Sequence, residues 1–276
     1  MYRQCIISFI DLLGFKDIIQ NSSAEDIRRR LSIVRDFSGL GDFENGEGHA
    51  PKVIQFSDSI IRIRPIDSEA NRAYNYGIVF HELLDLVHMQ SDLINSRIPV
   101  RGGVSIGDVF YDEQTIFGPG FVRAYELEST FANYPRIVVD PEILSRVVDD
   151  SDLRSSHNDL ENELGSIRNL LKCGDDGIHF IDYLKSYQSE IDDFEDIPTY
   201  LENHKSIIQS NINRFNSLNP ISSKYLWMAK YHNEVVCDLS PAFFTQWDLE
   251  RDDFLISDTE MPILRDFGRP PLPRRG

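Results

Sequence analysis

Cysteine is scarce in this chain of 276 residues, and the three present, Cys5, Cys173 and Cys237, lie far apart. An odd, dispersed set makes neither a disulfide framework nor the spacing of a zinc site, which excludes a disulfide-stapled domain and a zinc module. Ordinary buried thiols are expected. Long hydrophobic runs are missing too. No stretch of about 18 apolar residues occurs, so no membrane span is expected. The start, Met1 to Cys5, leads straight into an apolar run. It lacks the basic opening, longer apolar core and small-residue cleavage site of a signal peptide, and a cytoplasmic protein is expected. Positive charge is in short supply: 28 Lys and Arg stand against 45 Asp and Glu, for a net charge of −17. So acidic a surface argues against long nucleic acid as a partner, because such binding rests on phosphate contacts. A nucleotide remains compatible, since divalent metals and a few local basic groups can hold a triphosphate. Internal repeats are absent.

What is present is the composition of a globular protein, 41% hydrophobic and 26% charged. Ile6 to Ile10 reads as a buried strand, and Asp11 to Phe15 as a turn. A helical stretch with Leu31 and Val34 on its apolar side follows. Residues 39–51 form a polar, glycine-rich loop. Val53 to Ile63 holds two short strands around Ser57-Asp58-Ser59, a hairpin tip. Residues 73–96 repeat apolar positions at helical spacing. Val100 to Phe110 reads as strand, glycine break, strand. Gly118-Pro119-Gly120 opens a helix to about Ala132, Arg136 to Val139 is a strand, and Pro141 begins a helix after Asp140. Residues 150–165 are polar and acidic and read as a loop or insertion, and Gly177 to Tyr183 as a last strand. Beyond 186 the pattern is mostly helical. This predicts a catalytic domain over 1–185, a helical extension over 186–264 and a flexible tail over 265–276.

Two carboxylates stand out. Asp11 ends an apolar strand just before a helix start, whose exposed backbone N–H groups favour phosphate. Asp58 occupies the tip of an otherwise apolar hairpin, which strand pairing would bring beside the first strand. Two such carboxylates can hold two hard metal ions that orient and polarise a triphosphate. The plainer roles are a helix N-cap for Asp11 and a turn former for Asp58. His81 and His88, seven residues apart on a helix, lack a third ligand. The run from Glu190 to Asp196 reads as a solvated acidic loop, and the helix with Trp227 as a packing or dimer element.

In this order the motifs resemble the class III nucleotide cyclase family. Phe9-Ile10-Asp11-Leu12-Leu13-Gly14-Phe15 is similar to its first metal motif, and Phe56-Ser57-Asp58-Ser59 to its second. Arg101-Gly102-Gly103-Val104-Ser105-Ile106-Gly107 resembles its Arg-x-Gly strand, and Gly118 to Glu128 its glycine-led helix. The match covers residues 5–184. Positions that read a purine depart from the pattern: Ile54 stands where the family has Lys, and Thr115 where it has Asp. On the helix, Val122 and Glu126 replace the family's Asn and transition-state Arg. The strings Ala124 to Glu128, Tyr134 to Val139, Lys172 to Gly177, Phe180 to Leu184 and Lys224 to Asn233 resemble the bacterial pyrimidine cyclases of Pycsar anti-phage systems.

That resemblance implies an α/β (α+β) fold with a mostly antiparallel central sheet, flanking helices and a C-terminal helical extension. It implies two divalent metal ions, Mg²⁺ or Mn²⁺, held by Asp11, the Leu12 backbone and Asp58. Phosphate would be held by Leu13, Gly14, Phe15 and Lys172. Arg101 and Arg123 are candidates for transition-state charge, Tyr125 for base stacking, and Ile54, Phe56 and Thr115 for the base pocket. The implied substrate is UTP, with CTP as alternative. The implied assembly is a homodimer with composite sites, whose cyclic nucleotide is read by a separate effector protein. A second class of reading is a catalytically dead cyclase-homology domain that binds nucleotide or dimerises. A third, an RNA-binding or polymerase-like palm, is disfavoured by the acidic surface.

Overall fold

The computed structural model describes residues 1–39, 51–67, 70–190, 196–214 and 220–257. The expected loop at 39–51, the acidic run at 190–196 and the tail from 265 lie wholly or largely outside these residues. The chain divides into two compact units, Met1–Glu190 and Ile191–Gly276.

The first unit is built on β1 (Arg3–Leu12), β2 (Lys52–Phe56), β3 (Ser59–Pro65), β4 (Val100–Tyr111), β5 (Ile116–Phe117), β6 (Ile137–Val139), β7 (Leu171–Cys173) and β8 (His179–Ile181). They form one sheet in the order β2-β3-β1-β4-β6-β8-β7, with β5 on β4. Every pairing is antiparallel except β4 with β6. The helices are α1 (Phe15–Asn21), α2 (Ala24–Ser38), α3 (Ala70–Ala73), α4 (Ile78–Asn95), α5 (Pro119–Glu126), α6 (Pro141–Asp149), α7 (Leu160–Asn169) and α8 (Tyr183–Glu190). The fold is thus mixed α/β with a mostly antiparallel central sheet and flanking helices, as expected.

Alternation along β1 sorts its side chains onto two faces. Cys5, Ile7 and Phe9 pack with Ile61, Ile63, Val109 and Ala124. Ser8 faces the other way, where its hydroxyl donates to Glu82 Oε1 on α4 at 2.7 Å. Arg62 and Arg64 of β3 share that face and pair with Glu82 and Asp85. Four charges sealed between sheet and helix are tolerable only because each has a partner.

Four sequence expectations change. Asp11 lies within β1 rather than in the turn. The glycines at 102 and 103 do not break a strand, since β4 runs unbroken through them. Gly103 is small because α5 and its continuation cross there: a Cβ on it would sit 2.5 Å from Ala124 O and Leu127 Cβ, whereas one on Gly102 would sit 2.8 Å from Phe9 O of β1. The stretch 150–165 contains a 3-10 turn, Ser151–Leu153, and the start of α7, capped by the Asp159 carboxylate on Asn162 N–H. Cys5 is buried, but Cys173 and Cys237 are exposed.

The second unit contains α9 (Asp196–Arg214), α10 (Ser222–Asp238), α11 (Pro241–Gln246) and α12 (Arg251–Phe254). Among the described residues, no helix is long and apolar enough to cross a membrane.

Candidate active site

One row of four side chains crosses the sheet at the end of β1. The register sets Phe56 opposite Ser59, Ser59 opposite Asp11, and Asp11 opposite Arg101. Directly opposed residues share a face. It is also the face of Phe9, Ile61 and Ile54, which form the next row inward and lie beneath α5.

Asp58 is brought to this row by the β2–β3 turn. Ser57 carries φ 56°, a left-handed conformation that a residue with a Cβ rarely adopts. The local cost is offset by closure of the hairpin onto β1, where Leu12 N–H donates to Asp58 O at 3.3 Å. The two aspartates therefore meet. Burial raises the Asp11 carboxyl above the ordinary carboxylate range, and the neighbouring Asp58 charge raises it further. Arg101 and a hydrogen bond from Ser59 Oγ, at 3.3 Å, act in the opposite sense.

Arg101 is shared. Its Nη2 lies 3.5 Å from Asp11 Oδ2 and 2.6 Å from Glu128 Oε1. Glu128 is buried, and it belongs to a single π-helical turn, Leu127–Phe131, that continues α5. Such turns are rare and recur at functional sites. Two carboxylates thus share one guanidinium, Asp58 adds a third negative charge beside Asp11, and negative charge is in excess. A hard divalent cation suits that donor set. Among the described residues, no group of three or more His, Cys, Asp or Glu side chains is placed to hold a metal ion. Two carboxylates with phosphate and water completing the shell is how Mg²⁺ is commonly held.

The turn after β1 supplies less phosphate-binding backbone than the sequence implies. Leu12 N–H is taken by Asp58 O and Leu13 N–H by Pro99 O, at 2.9 Å. Gly14, at φ 78°, is the N-cap of α1, which replaces the N-cap role considered for Asp11. Phe15 and Lys16 open α1, and first-turn N–H groups have no partner within a helix. Phe15 contributes main chain only, since its ring is buried.

The other candidates are scattered. Tyr125 is half exposed on α5, with its ring edge-on to Phe9 at 5.4 Å, two residues before Asp11 on the same face. Phe56 is 78% exposed, and Ile54 is partly buried behind it. Arg123 is drawn away toward the end of β6, where its Nε lies 2.5 Å from Asp140 Oδ2. Glu126 is also on its guanidinium, at 3.8 Å. Lys172 lies on β7, four strands from β1, or roughly 19 Å at the usual strand spacing. Thr115 sits in the β4–β5 turn, with its N–H on Asp112 Oδ1, beyond the opposite end of the β1–β4 ladder. Within one chain, then, Asp11, Asp58, Phe56 and Arg101 come together, whereas Lys172, Thr115 and Arg123 do not join them.

Glu128 is the site residue that spacing does not single out. Its one signal is a charge following Leu127 on a helix that otherwise buries small and apolar residues.

No protein-family model matches the chain, and no curated protein matches it. Solved structures similar to it include the guanylyl cyclase Cya2, at 17% identity and TM-score 0.38, covering 52% of this chain and 78% of that one. A bacterial light-regulated adenylyl cyclase is similar at 14% identity and TM-score 0.40, covering 54% of this chain and 81% of that one. A further structure of a bacterial light-regulated adenylyl cyclase matches at 15% identity and TM-score 0.37, over 50% of this chain and 43% of that one.

Proposed function

We propose that the first unit is a metal-dependent nucleotide cyclase that converts UTP to 3′,5′-cyclic UMP and pyrophosphate, as a signal in bacterial anti-phage defence. The observation that carries the reading is the Asp11–Asp58 pair, two carboxylates held against each other beside one shared arginine. A folded protein has little reason to keep such a like-charge pair unless a cation occupies it. The pyrimidine preference is supported by Ile54 and Thr115, which stand where a purine cyclase carries Lys and Asp. CTP is the alternative substrate.

Asp11, Asp58 and the Leu12 main chain hold two Mg²⁺ or Mn²⁺ ions in this reading. When bound, such ions lower the pKa of the ribose 3′-hydroxyl and offset charge on the leaving pyrophosphate. The backbone N–H groups that open α1, at Phe15 and Lys16, receive phosphate oxygens. Arg101, positioned by Glu128, adds positive charge at the same edge of the sheet. The 3′-oxygen then forms a bond to the α-phosphorus, the bond from that phosphorus to pyrophosphate breaks, and the hydroxyl proton passes to solvent. Phe56 and Tyr125 present exposed apolar surface on this face, which suits a base or a second copy of the chain. Lys172 lies four strands from the pair, and Arg123 is engaged by Asp140, so neither serves the same phosphates within one protomer in this reading. A homodimer with composite sites gives them a role. The cyclic product would be read by a separate effector.

One observation favours a second reading, a catalytically dead cyclase-homology domain. Glu126, at the position of the expected transition-state Arg, is engaged with Arg123 and offers no positive charge. Incubation with each of the four nucleoside triphosphates and Mn²⁺, followed by mass spectrometry, separates the two. Cyclic UMP or cyclic CMP supports the proposal, and Asp11→Ala or Asp58→Ala should each abolish it. Cyclic AMP overturns the pyrimidine assignment. No product with any nucleotide, in the presence of tight binding, establishes the dead domain.

A further inference from the structure

A cavity of about 1020 Å³ opens at the other end of β1, between the strand's first residues, the α3 segment and residues 151–160. About eight residues of β1 separate it from Asp11, roughly 27 Å of extended chain. Three guanidinium groups line it, from Arg3, Arg72 and Arg154, against the carboxylates of Asp67 and Asp152. In a chain with 45 acidic and 28 basic residues, an excess of arginine in one concavity runs against composition.

The walls are fixed by buried polar groups. Asn71, 8% exposed, accepts the Ile78 N–H at 2.7 Å and donates to Asp152 O at 2.5 Å. Ser155, 5% exposed, donates to Tyr74 O at 2.5 Å. Ser156 N–H donates to Asn71 O at 2.9 Å, and His157 Nε2 lies 2.7 Å from Arg72 O. Four of these bonds join segments some eighty residues apart and hold Arg72 and Arg154 to one concavity. Arg3 is oriented by both oxygens of Asp67, at 2.8 and 3.0 Å, and by Tyr111 Oη at 3.2 Å. Arg154 is half-buried and donates to Val148 O at 3.3 Å. Arg72 is exposed and has no carboxylate partner among the described residues.

We propose that this cavity binds a small phosphorylated ligand directly through Arg72 and Arg154, at a site separate from the carboxylate pair. Guanidinium forks match phosphate oxygens in two-point geometry. The volume is at the upper limit of small-molecule sites, about 1,000 Å³, and leaves room for a nucleotide-sized molecule. The logic is opposite to that at Asp11 and Asp58, where the two carboxylates repel phosphate unless cations stand between them. Here the protein supplies the positive charge, so binding persists when divalent metal is removed.

The test is calorimetric titration of the full chain with tripolyphosphate in EDTA. Saturable binding at one site per chain is expected. Arg72→Gln/Arg154→Gln should weaken it by about tenfold or more. Arg72→Gln alone, at an exposed position where folding is unaffected, should weaken it several-fold. Asp11→Asn/Asp58→Asn should leave it unchanged. No saturable binding at millimolar tripolyphosphate, full-strength binding in the Arg72→Gln/Arg154→Gln variant, or loss of binding in the Asp11→Asn/Asp58→Asn variant each overturns the proposal. Because metal is excluded, the result is independent of whether the carboxylate pair is a cyclase site.

Discussion

Arg101 Nη2 stands 2.6 Å from Oε1 of the buried Glu128, and this ion pair ties β4 to the π-helical turn after α5. Removing the arginine strands a carboxylate in low dielectric, which is more costly than replacing the pair together. Arg101→Met is therefore expected to destabilise the fold by about 3 kcal/mol. Adding Glu128→Gln should recover more than half of that loss. Urea denaturation of the two single variants and the double variant measures the coupling. Equal stability of Arg101→Met and the parent chain would show that the pair does not hold the turn.

Asp58→Asn should raise stability while removing function. Burial and the Asp58 charge keep the Asp11 carboxyl above its ordinary value. A carboxyl whose pKa is raised by folding favours the native state below its unfolded pKa. That contribution is lost as pH rises through the folded pKa, so at neutral pH the ionised Asp11 is a net cost. Neutralising residue 58 lowers the Asp11 pKa and reduces the cost. Carboxyl NMR titration in EDTA should show the downward shift, thermal melts at pH 7 a small gain, and Mn²⁺ titration a loss of affinity. An unmoved Asp11 titration would mean that the Asp58 charge does not contribute to its raised pKa.

The strand-and-turn settings of Asp11 and Asp58 were legible because both follow from local pattern, apolar alternation interrupted by a single carboxylate. Their meeting was also readable, since a hairpin next in sequence to a buried strand tends to pair with it. What was not legible depends on distant packing. The strand β7, only Leu171–Cys173, is too short to show alternation, so Lys172 had no assigned place in the sheet. Glu128 needs both the π-helical turn and Arg101 to become a site residue. The glycines of β4 read as a break because propensity cannot anticipate the helix that crosses Gly103 or the close approach of β1 at Gly102.

Gly103→Ala tests that crossing. The added methyl carbon would lie 2.5 Å from Ala124 O and Leu127 Cβ and 2.8 Å from Glu128 N. Two of the three are backbone atoms, which leave no cheap relief, so α5 must lift from β4. Overpacking of this kind costs about 1–3 kcal/mol, and the upper part of that range is expected. The lift also moves Glu128 from Arg101, so Mn²⁺ affinity should fall along with the denaturation midpoint. A midpoint unchanged within error would show that α5 can shift freely.

The second unit carries its own pH dependence. His204 on α9 and His232 on α10 are fully buried, with rings stacked at 13° and their Nδ1 atoms 3.0 Å apart. His232 Nε2 lies 2.8 Å from Phe254 O, which can only accept, so that nitrogen carries the proton. Neutral His232 then accepts at Nδ1, and His204 donates to it. Protonation of His232 at Nδ1 would set two N–H groups against each other in a dry site that Lys205 already makes unfavourable for positive charge. Burial holds His204 well below 6.5, the neighbouring His232 adding to the effect, and brings His232 down to about 4. Between those values the unfolded chain binds more protons than the folded one, so stability falls as pH drops from about 6.5 to 4. The His232 shift alone corresponds to about 3 kcal/mol over that window. Both tryptophans, Trp227 and Trp247, lie in this unit, so tryptophan fluorescence follows its unfolding selectively. Melts from pH 7.5 to 4.5 should show a steep fall in the fluorescence midpoint, flattened in His204→Phe/His232→Gln, where the glutamine amide can still donate to Phe254 O. The same slope in that variant would assign the pH dependence to other groups.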